Sequence, residues 1–244
     1  MPRRAVLEAV LFDWGDTLMQ FAYDPELVEA GHRAGLEAIG RDDLPAVDAL
    51  TEHFRERYEP LFWVPGTVEE IEYPGLVRQL LGDFGVTVDD RELGRYLEAE
   101  HAAWDPARRL APHTHALLET LRERGLKLAL VSNAFDPGWL LHRDLEQMDL
   151  ARRLDFSVFS SEVGMRKPHP AIFERALAAL GVAAEQTLFV GDRLYEDIRG
   201  ASELGMATAQ ALWFRADEHP DGREPEYQAF TQMDVLNIVS RLRA

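Results

Sequence analysis

Apolar residues along the chain fall into two textures. Short continuous runs rich in Val and Leu occur at 5–12, 126–131, 156–159, 187–190 and 208–212, and the first, second and fourth run straight into Asp13, Ser132-Asn133 and Gly191-Asp192. Such runs, bounded by turn formers, read as buried strands. Around them apolar positions recur at helical spacing, predicting helices over 113–124, 137–148, 170–180, 195–204 and 227–242, with Gly125, Gly181 and Gly205 as stops. Strands alternating with helices predict an α/β fold, a doubly wound Rossmann-like parallel sheet with short right-handed crossovers.

The stretch between the first and second of these runs is different. Segments 24–40, 43–58, 68–82 and 89–104 each read as amphipathic helices, with start signals at Asp24-Pro25, Pro65-Gly66-Thr67 and Asp89-Asp90 and stops at Gly40 and Gly85. No alternating strand pattern, fixed-period repeat or low-complexity tract stands out there. The predicted organisation is therefore a core made of 1–19 and 109–244, interrupted by an all-helical insert over 20–108.

Composition narrows the class. The 244 residues are 46% hydrophobic and 28% charged, in the range of a globular protein. No window approaches the ~20 continuous apolar residues of a membrane span, and the expected compartment is the cytoplasm, since Met1-Pro2-Arg3-Arg4 leads directly into the first apolar run. With no cysteine, disulfides, thiolate nucleophiles and thiolate metal sites are all excluded. The net charge is −17, and 20–108 carries −12 of it. Nucleic-acid binding, which needs basic patches, is not expected, and an anionic substrate needs local positive charge. Lysine occurs only at 127 and 167.

Four positions sit just past strand ends: Asp13, Ser132, the Lys167 loop, and Asp192 with Asp197. In a parallel sheet the carboxyl ends of the strands share one edge, so these residues can meet in one crevice. Two or three carboxylates with a backbone carbonyl form an oxygen-only set suited to Mg2+. A lysine and a small hydroxyl beside it can hold a phosphoryl or carboxylate oxygen, and a carboxylate aimed at that group is a candidate nucleophile.

Phe12-Asp13-Trp14-Gly15-Asp16-Thr17-Leu18, Leu130-Val131-Ser132-Asn133, Arg166-Lys167-Pro168-His169-Pro170 and the run from Phe189-Val190-Gly191-Asp192 to Asp197-Ile198-Arg199-Gly200-Ala201 resemble, in order, the four motifs of the haloacid dehalogenase superfamily. The resemblance covers essentially the whole chain and implies a Rossmann-like core with the helical insert acting as a cap. It implies Asp13 as a nucleophile that forms an aspartyl-phosphate and also ligates Mg2+, with the carbonyl of Gly15, Asp192 and Asp197 as further metal positions. It implies Ser132 as a phosphoryl hydrogen-bond partner and Lys167 as the group that neutralises developing charge. Thr17, which would also shape the first loop, Asn133 and Trp14 are assigned to the substrate side, with packing in the core as the alternative for Trp14.

One position departs from the family pattern. Its phosphatases carry a second Asp two residues after the nucleophile, where it protonates the leaving group; here that position is Gly15. Asp16, in the variable position that follows, is a candidate substitute. A positioned general acid is worth ~10²–10⁴ in rate, so its loss favours leaving groups such as acyl or aryl phosphates that depart unaided. The reading is a Mg2+-dependent phosphatase acting on a small phosphorylated metabolite, with a monomer or homodimer expected and no nucleic acid or membrane as partner. Two alternatives stay open: a metal-free hydrolase of the 2-haloacid type, and a weakened member that binds a phosphorylated metabolite or a protein. The cap histidines His32, His53 and His101, the cap aromatics Phe54, Tyr58, Phe62, Trp63 and Trp104, and His169 and Lys127 are read as packing, capping or surface residues. Residues 216–226 are read as a surface loop.

Overall fold

A computed structural model describes residues 6–64 and 66–244. Ala5 and the four residues before it, expected to lead into the first strand, and Pro65 of the third helix signal lie outside the described residues, as does the Trp63 side chain. In chain order the elements are β1 (Ala9–Phe12), β2 (Met19–Phe21), α1 (Pro25–Ile39), α2 (Val47–Arg57), α3 (Tyr73–Gly82), α4 (Asp90–Ala103), β3 (Arg108–Leu110), α5 (Thr114–Glu123), β4 (Lys127–Ser132), α6 (Gly138–Gln147), β5 (Phe156–Phe159), α7 (Ser160–Val163), α8 (Pro170–Leu180), β6 (Thr187–Gly191), α9 (Gly200–Glu203), β7 (Ala207–Ala211), β8 (Tyr227–Ala229) and α10 (Asp234–Leu242).

A strand buried on both faces needs apolar residues at every position, and β1 meets that demand with Ala9, Val10, Leu11 and Phe12, none of them exposed. It occupies the middle of a six-stranded sheet of order β5-β4-β1-β6-β7-β8, parallel throughout. Alternation along the strand divides its side chains between two cores. Val10 and Phe12 join Leu128, Leu130, Leu188 and Val190 beneath α5, α6 and α10. Ala9 and Leu11 join Ala129, Val131 and Phe189 against Ile172, Phe173 and Ala176 of α8. The fold is the α/β Rossmann-like sheet that the apolar runs predict, with all strand carboxyl ends at one edge.

Helices α1 to α4 form a third apolar cluster of their own, centred on Leu50, Val77, Leu80, Leu81 and Tyr96, to which α6 contributes Leu140. The approach of α1 to α4 depends on Gly35, where a Cβ would run into the Tyr96 ring. Each helix has a local reason to start. Asp24 accepts from the Glu26 amide, and Asp89 and Glu92 form a reciprocal capping box. Pro45 disfavours helical geometry in the residue before it, and α2 begins only at Val47, four residues later than the pattern at 43 suggests. Where the chain leaves and re-enters the core, β2 and β3 pair as an antiparallel ribbon, Met19 opposite Leu110 and Phe21 opposite Arg108. Three-residue strands are too short to show an alternating pattern.

Three further expectations shift. Residues 68–72, read as the start of a helix, are not helical: Glu69 bridges Met165, the Glu70 amide donates to the Gly164 carbonyl at 3.0 Å and the Arg166 amide to the Val68 carbonyl at 2.6 Å. Those backbone groups are committed to the loop that carries Lys167, so α3 starts at Tyr73, capped by Glu72. Residues 227–229, read as helix, form the edge strand β8 on β7; α10 starts only at Asp234, whose carboxylate accepts from the amides of Phe230 and Thr231. The segment 195–204 is a π-turn over Leu194–Arg199 followed by α9, because the Arg193 carbonyl takes both the Asp197 and Ile198 amides at 3.1 Å.

A buried polar cluster joins the helical insert to the core. His101 of α4 has no solvent exposure, and its Nδ1 lies 2.8 Å from Asp136, in the loop after β4, and its Nε2 2.9 Å from Asp144 of α6. Arg108 of β3 donates to Asp144 at 2.9 Å and to the His101 carbonyl at 3.1 Å, and Glu100 receives the Trp104 indole N–H at 3.2 Å. Donation from both ring nitrogens to the two carboxylates takes the imidazolium form, and Arg108 Nη2, 3.2 Å from Nδ1, opposes it. Burial and Arg108 pull the His101 pKa down, but Asp136 and Asp144 outweigh them and raise it to about 9. Burial and the Asp136 charge likewise raise Glu100 to about 7. A histidine raised in the folded state contributes stability that is complete below its unfolded value near 6.5 and lost as pH climbs through about 9. We therefore expect wild-type stability against urea to fall between pH 6.5 and 9.5, and His101→Asn to remove up to ~3 kcal/mol of that fall. Equal pH slopes for the two proteins would show that His101 is not charged in this cluster.

Candidate active site

The carboxyl edge of the sheet gathers residues from the ends of three strands. Asp13 ends β1, its amide donating to the Val190 carbonyl of the neighbouring strand at 2.9 Å. Ser132 ends β4 and is buried. Asp192 follows β6, and Asp197 lies one turn later in the wide π-turn, which aims it back over Gly191; a Cβ at 191 would collide with the Asp197 carboxylate, so the close approach requires glycine there. Asp13, Asp192 and Asp197 are all buried, and one carboxylate oxygen from each lies within 4.8 Å of the others.

Lys167 enters from the loop between α7 and α8. Its side chain is 2% exposed, and Nζ donates to Asp13 Oδ1 at 2.6 Å, Asp197 Oδ1 at 2.6 Å and the Val131 carbonyl at 2.9 Å, using all three ammonium protons. Asn133 clamps the backbone of that lysine from both sides: Oδ1 accepts its amide at 2.7 Å and Nδ2 donates to its carbonyl at 3.2 Å. The Asn133 amide, assigned by sequence to the substrate side, is thus occupied with placing Lys167. His169, two residues on, caps α8 by accepting the Ala171 amide.

The carboxylates are crowded with negative charge. Asp13 rises to about 6, mainly through burial and the Asp197 charge and against the pull of Lys167; Asp192 rises to about 8 through burial, then Asp197 and Asp13. Burial pulls the Lys167 pKa down, but Asp13 and Asp197 outweigh it and hold the ammonium above its ordinary value. Among the described residues Asp192 Oδ1 is buried without a hydrogen-bond partner. An orphaned carboxylate oxygen beside two further buried carboxylates is a donor set for a hard divalent cation, and a cation there would relieve the crowding. The Arg193 amide holds Asp197 Oδ2 at 3.0 Å, fixing its orientation.

The loop after β1 winds round a single carbonyl, that of Trp14, which accepts the amides of Thr17, Leu18 and Met19. The Trp14 side chain is 3% exposed and packs on Phe159 with ring centroids 5.7 Å apart, inside the core rather than in the crevice. Thr17 is fully buried and its Oγ1 lacks a partner among the described residues. A Cβ built at Gly15 meets nothing within 4 Å. Asp16 has φ 55°, in the left-handed region that Asp tolerates. Its Oδ1 accepts the Phe21 amide at 3.3 Å and its Oδ2 lies 3.4 Å from Arg215, so both oxygens face the start of the insert and a cation. The insert histidines are engaged elsewhere, His32 with Thr51, His53 with Asp83 and His101 with Asp136 and Asp144. Lys127 donates to the Leu180 carbonyl at the end of α8.

Sequence reasoning missed Arg215. Its Nε lies 2.7 Å from Asp192 Oδ2, just before the 216–226 segment that was read as a surface loop. Asp217 of the same segment accepts the Leu194 amide at 2.8 Å, tying it to the π-turn. The signal was available: Arg215 follows a predicted strand end by a few residues, the same position that marks Asp13, Ser132 and Asp192.

Comparison with known proteins gives concordant results. A curated glyceraldehyde 3-phosphate phosphatase from Methanocaldococcus jannaschii is 26% identical over 244 residues, spanning 98% of this chain and 99% of that protein. A phosphoserine phosphatase from Thermus thermophilus is 30% identical over 242 residues, spanning 89% and 92%. The crystal structure of a 2-haloacid dehalogenase from Pseudomonas syringae pv. Tomato shares the fold with a TM-score of 0.70 at 24% identity, over 97% of this chain and 99% of that one. Among the described residues no helix is long and apolar enough to cross a membrane. The family profile of the haloacid dehalogenase-like hydrolases matches residues 7–205, and the chain belongs to that family of hydrolases.

Proposed function

We propose that this hydrolase is a Mg2+-dependent phosphatase that works through an aspartyl-phosphate on Asp13. The observation that carries the reading is the buried trio Asp13, Asp192 and Asp197 with Lys167 wedged into it. Mg2+, held by those carboxylates and the Gly15 carbonyl, would supply charge neutralisation for the phosphoryl group. The remaining work falls to the chain's own groups. Lys167 keeps Asp13 ionised and oriented and opposes charge developing on the phosphoryl oxygens. Ser132, at the carboxyl end of β4, would donate to the phosphoryl group, and Thr17 would shape the first loop. An Asp13 oxygen attacks phosphorus while the bond to the leaving oxygen breaks; water then cleaves the aspartyl-phosphate, releasing inorganic phosphate and restoring the carboxylate. The helical insert acts as a cap that excludes water and sets specificity.

The relatives' names specify phosphates whose leaving oxygen is an alkoxide. Here Gly15 offers no acid, and Asp16 is turned toward the Phe21 amide and Arg215. The substrate class we favour is accordingly a small acyl or aryl phosphate, or another small metabolite whose leaving group departs without a proton.

Acetyl phosphate and p-nitrophenyl phosphate are expected to release phosphate with Mg2+ present and not in EDTA, and Asp13→Asn is expected to bring the rate to background. Metal-independent chloride release from a 2-haloacid, with no phosphate release, would replace this reading by carbon–halogen hydrolysis. The open space at position 15 admits a side chain, so Gly15→Asp is expected to raise turnover of alkyl phosphates by about 10²-fold, with a smaller change for p-nitrophenyl phosphate. No gain with alkyl phosphates would show that another group already delivers the proton.

A further inference from the structure

Two cations touch the carboxylate trio, and they are held differently. Lys167 is enclosed, with every ammonium proton committed. Arg215 has a side chain 38% exposed, yet it reaches Asp192, whose side chain is 1% exposed, through Nε at 2.7 Å and Nη2 at 2.6 Å. Its backbone is secured next to the site. Trp213 Nε1 donates to the Thr17 carbonyl at 2.9 Å, Gln210 Nε2 donates to the Asp192 carbonyl at 3.2 Å, and Asp217 takes the Leu194 amide. The side chain is partly open to solvent although Nη2 is itself buried, and a second carboxylate, Asp16, stands 3.4 Å from Nε.

Asp192 thus has one oxygen bound to a guanidinium and one bound to nothing among the described residues. A cation drawing on Asp13, Asp192 and Asp197 together meets Arg215 as a competitor, because an oxygen accepting a charged hydrogen bond is a poorer ligand. We propose that Arg215 is a tethered counter-cation for Asp192: it pairs with the carboxylate in the metal-free protein, and a divalent cation binds by exchanging with it, Asp16 retaining the displaced guanidinium. Arg215 is in this sense a positioning residue, which keeps the buried carboxylate charged and aimed while the metal is away. The inference rests on the metal-binding reading above and adds a cost to it, a metal affinity lowered by an internal competitor.

The test is calorimetric titration of Mg2+ into wild type, Arg215→Gln, Arg215→Lys and Arg193→Gln at fixed ionic strength, with melting temperatures recorded in EDTA and in saturating Mg2+. Arg193 supplies the control, since its charge acts on the same carboxylates from an exposed side chain that makes, among the described residues, no hydrogen bond to Asp192. Arg215→Gln is expected to tighten Mg2+ binding about tenfold or more, tenfold corresponding to about 1.4 kcal/mol of lost competition. Arg215→Lys, which keeps a charge without the fork of donors, is expected to tighten it less, and Arg193→Gln least. In EDTA, Arg215→Gln should melt below wild type, and saturating Mg2+ should close the gap. Equal or weaker binding by both Arg215 variants, or equal tightening by Arg193→Gln, would overturn the proposal while leaving the metal site standing. Absence of Mg2+ binding in wild type and Arg215→Gln alike would overturn both.

Discussion

The ammonium of Lys167 sits between two buried carboxylates, and much of the surrounding architecture serves to make that burial tolerable. Removing such a charge from water costs several kcal/mol, which its partners repay only with good geometry and full hydrogen bonding. Both conditions are met: Asp13 and Asp197 accept at 2.6 Å and the Val131 carbonyl takes the third proton. The geometry is secured at one remove. Asn133 grips the lysine's own peptide, residues 68–70 of the insert pair with the loop just before it, and the π-turn over Leu194–Arg199 swings Asp197 across Gly191. Each of these elements comes from a different part of the chain, so the lysine ties together strand ends that share no local sequence.

That arrangement leaves the third carboxylate under-compensated. Lys167 satisfies Asp13 and Asp197 but not Asp192, which is raised by burial and by its two neighbours and, among the described residues, takes its side-chain hydrogen bond from the guanidinium of Arg215. In a chain of net charge −17, positive charge at this edge is scarce and locally placed. It resides in Lys167, Arg193 and Arg215, all on loops at the carboxyl ends of strands, where a phosphorylated anion would have to approach. The net charge repels an anion at long range, so recognition depends on contacts within about one Debye length.

Position 15 shows how a single side chain separates fold from chemistry. The loop from Trp14 to Met19 closes on the Trp14 carbonyl whatever stands at 15, and a Cβ there would meet nothing. Asp16 does not supply the missing acid by adjacency, because its left-handed backbone turns the carboxylate toward the Phe21 amide and Arg215. The haloacid dehalogenase-like frame therefore persists with a carboxylate at 13 and no side chain at 15, and on the proposed reading the site favours leaving groups that depart without a proton.

The amino-acid sequence by itself determined five of the six sheet strands and most of the helices. A run such as Ala9 to Phe12 is apolar at every residue, and α1 and α4 carry both a helical stripe and a capping residue, so local pattern and burial agree. The acidic and lysine positions at strand ends were legible for the same reason, since a parallel sheet puts those ends together. What only the tertiary structure decided were features set by partners distant in the chain. Residues 68–70 are extended because they pair with 164–166, β8 forms because β7 offers an open edge, Asn133 is turned to the Lys167 backbone, Trp14 packs into the core, and Arg215 reaches Asp192. Periodicity reports which face of an element is buried; it carries no information about which group, more than a turn away, will take a given amide or carboxylate.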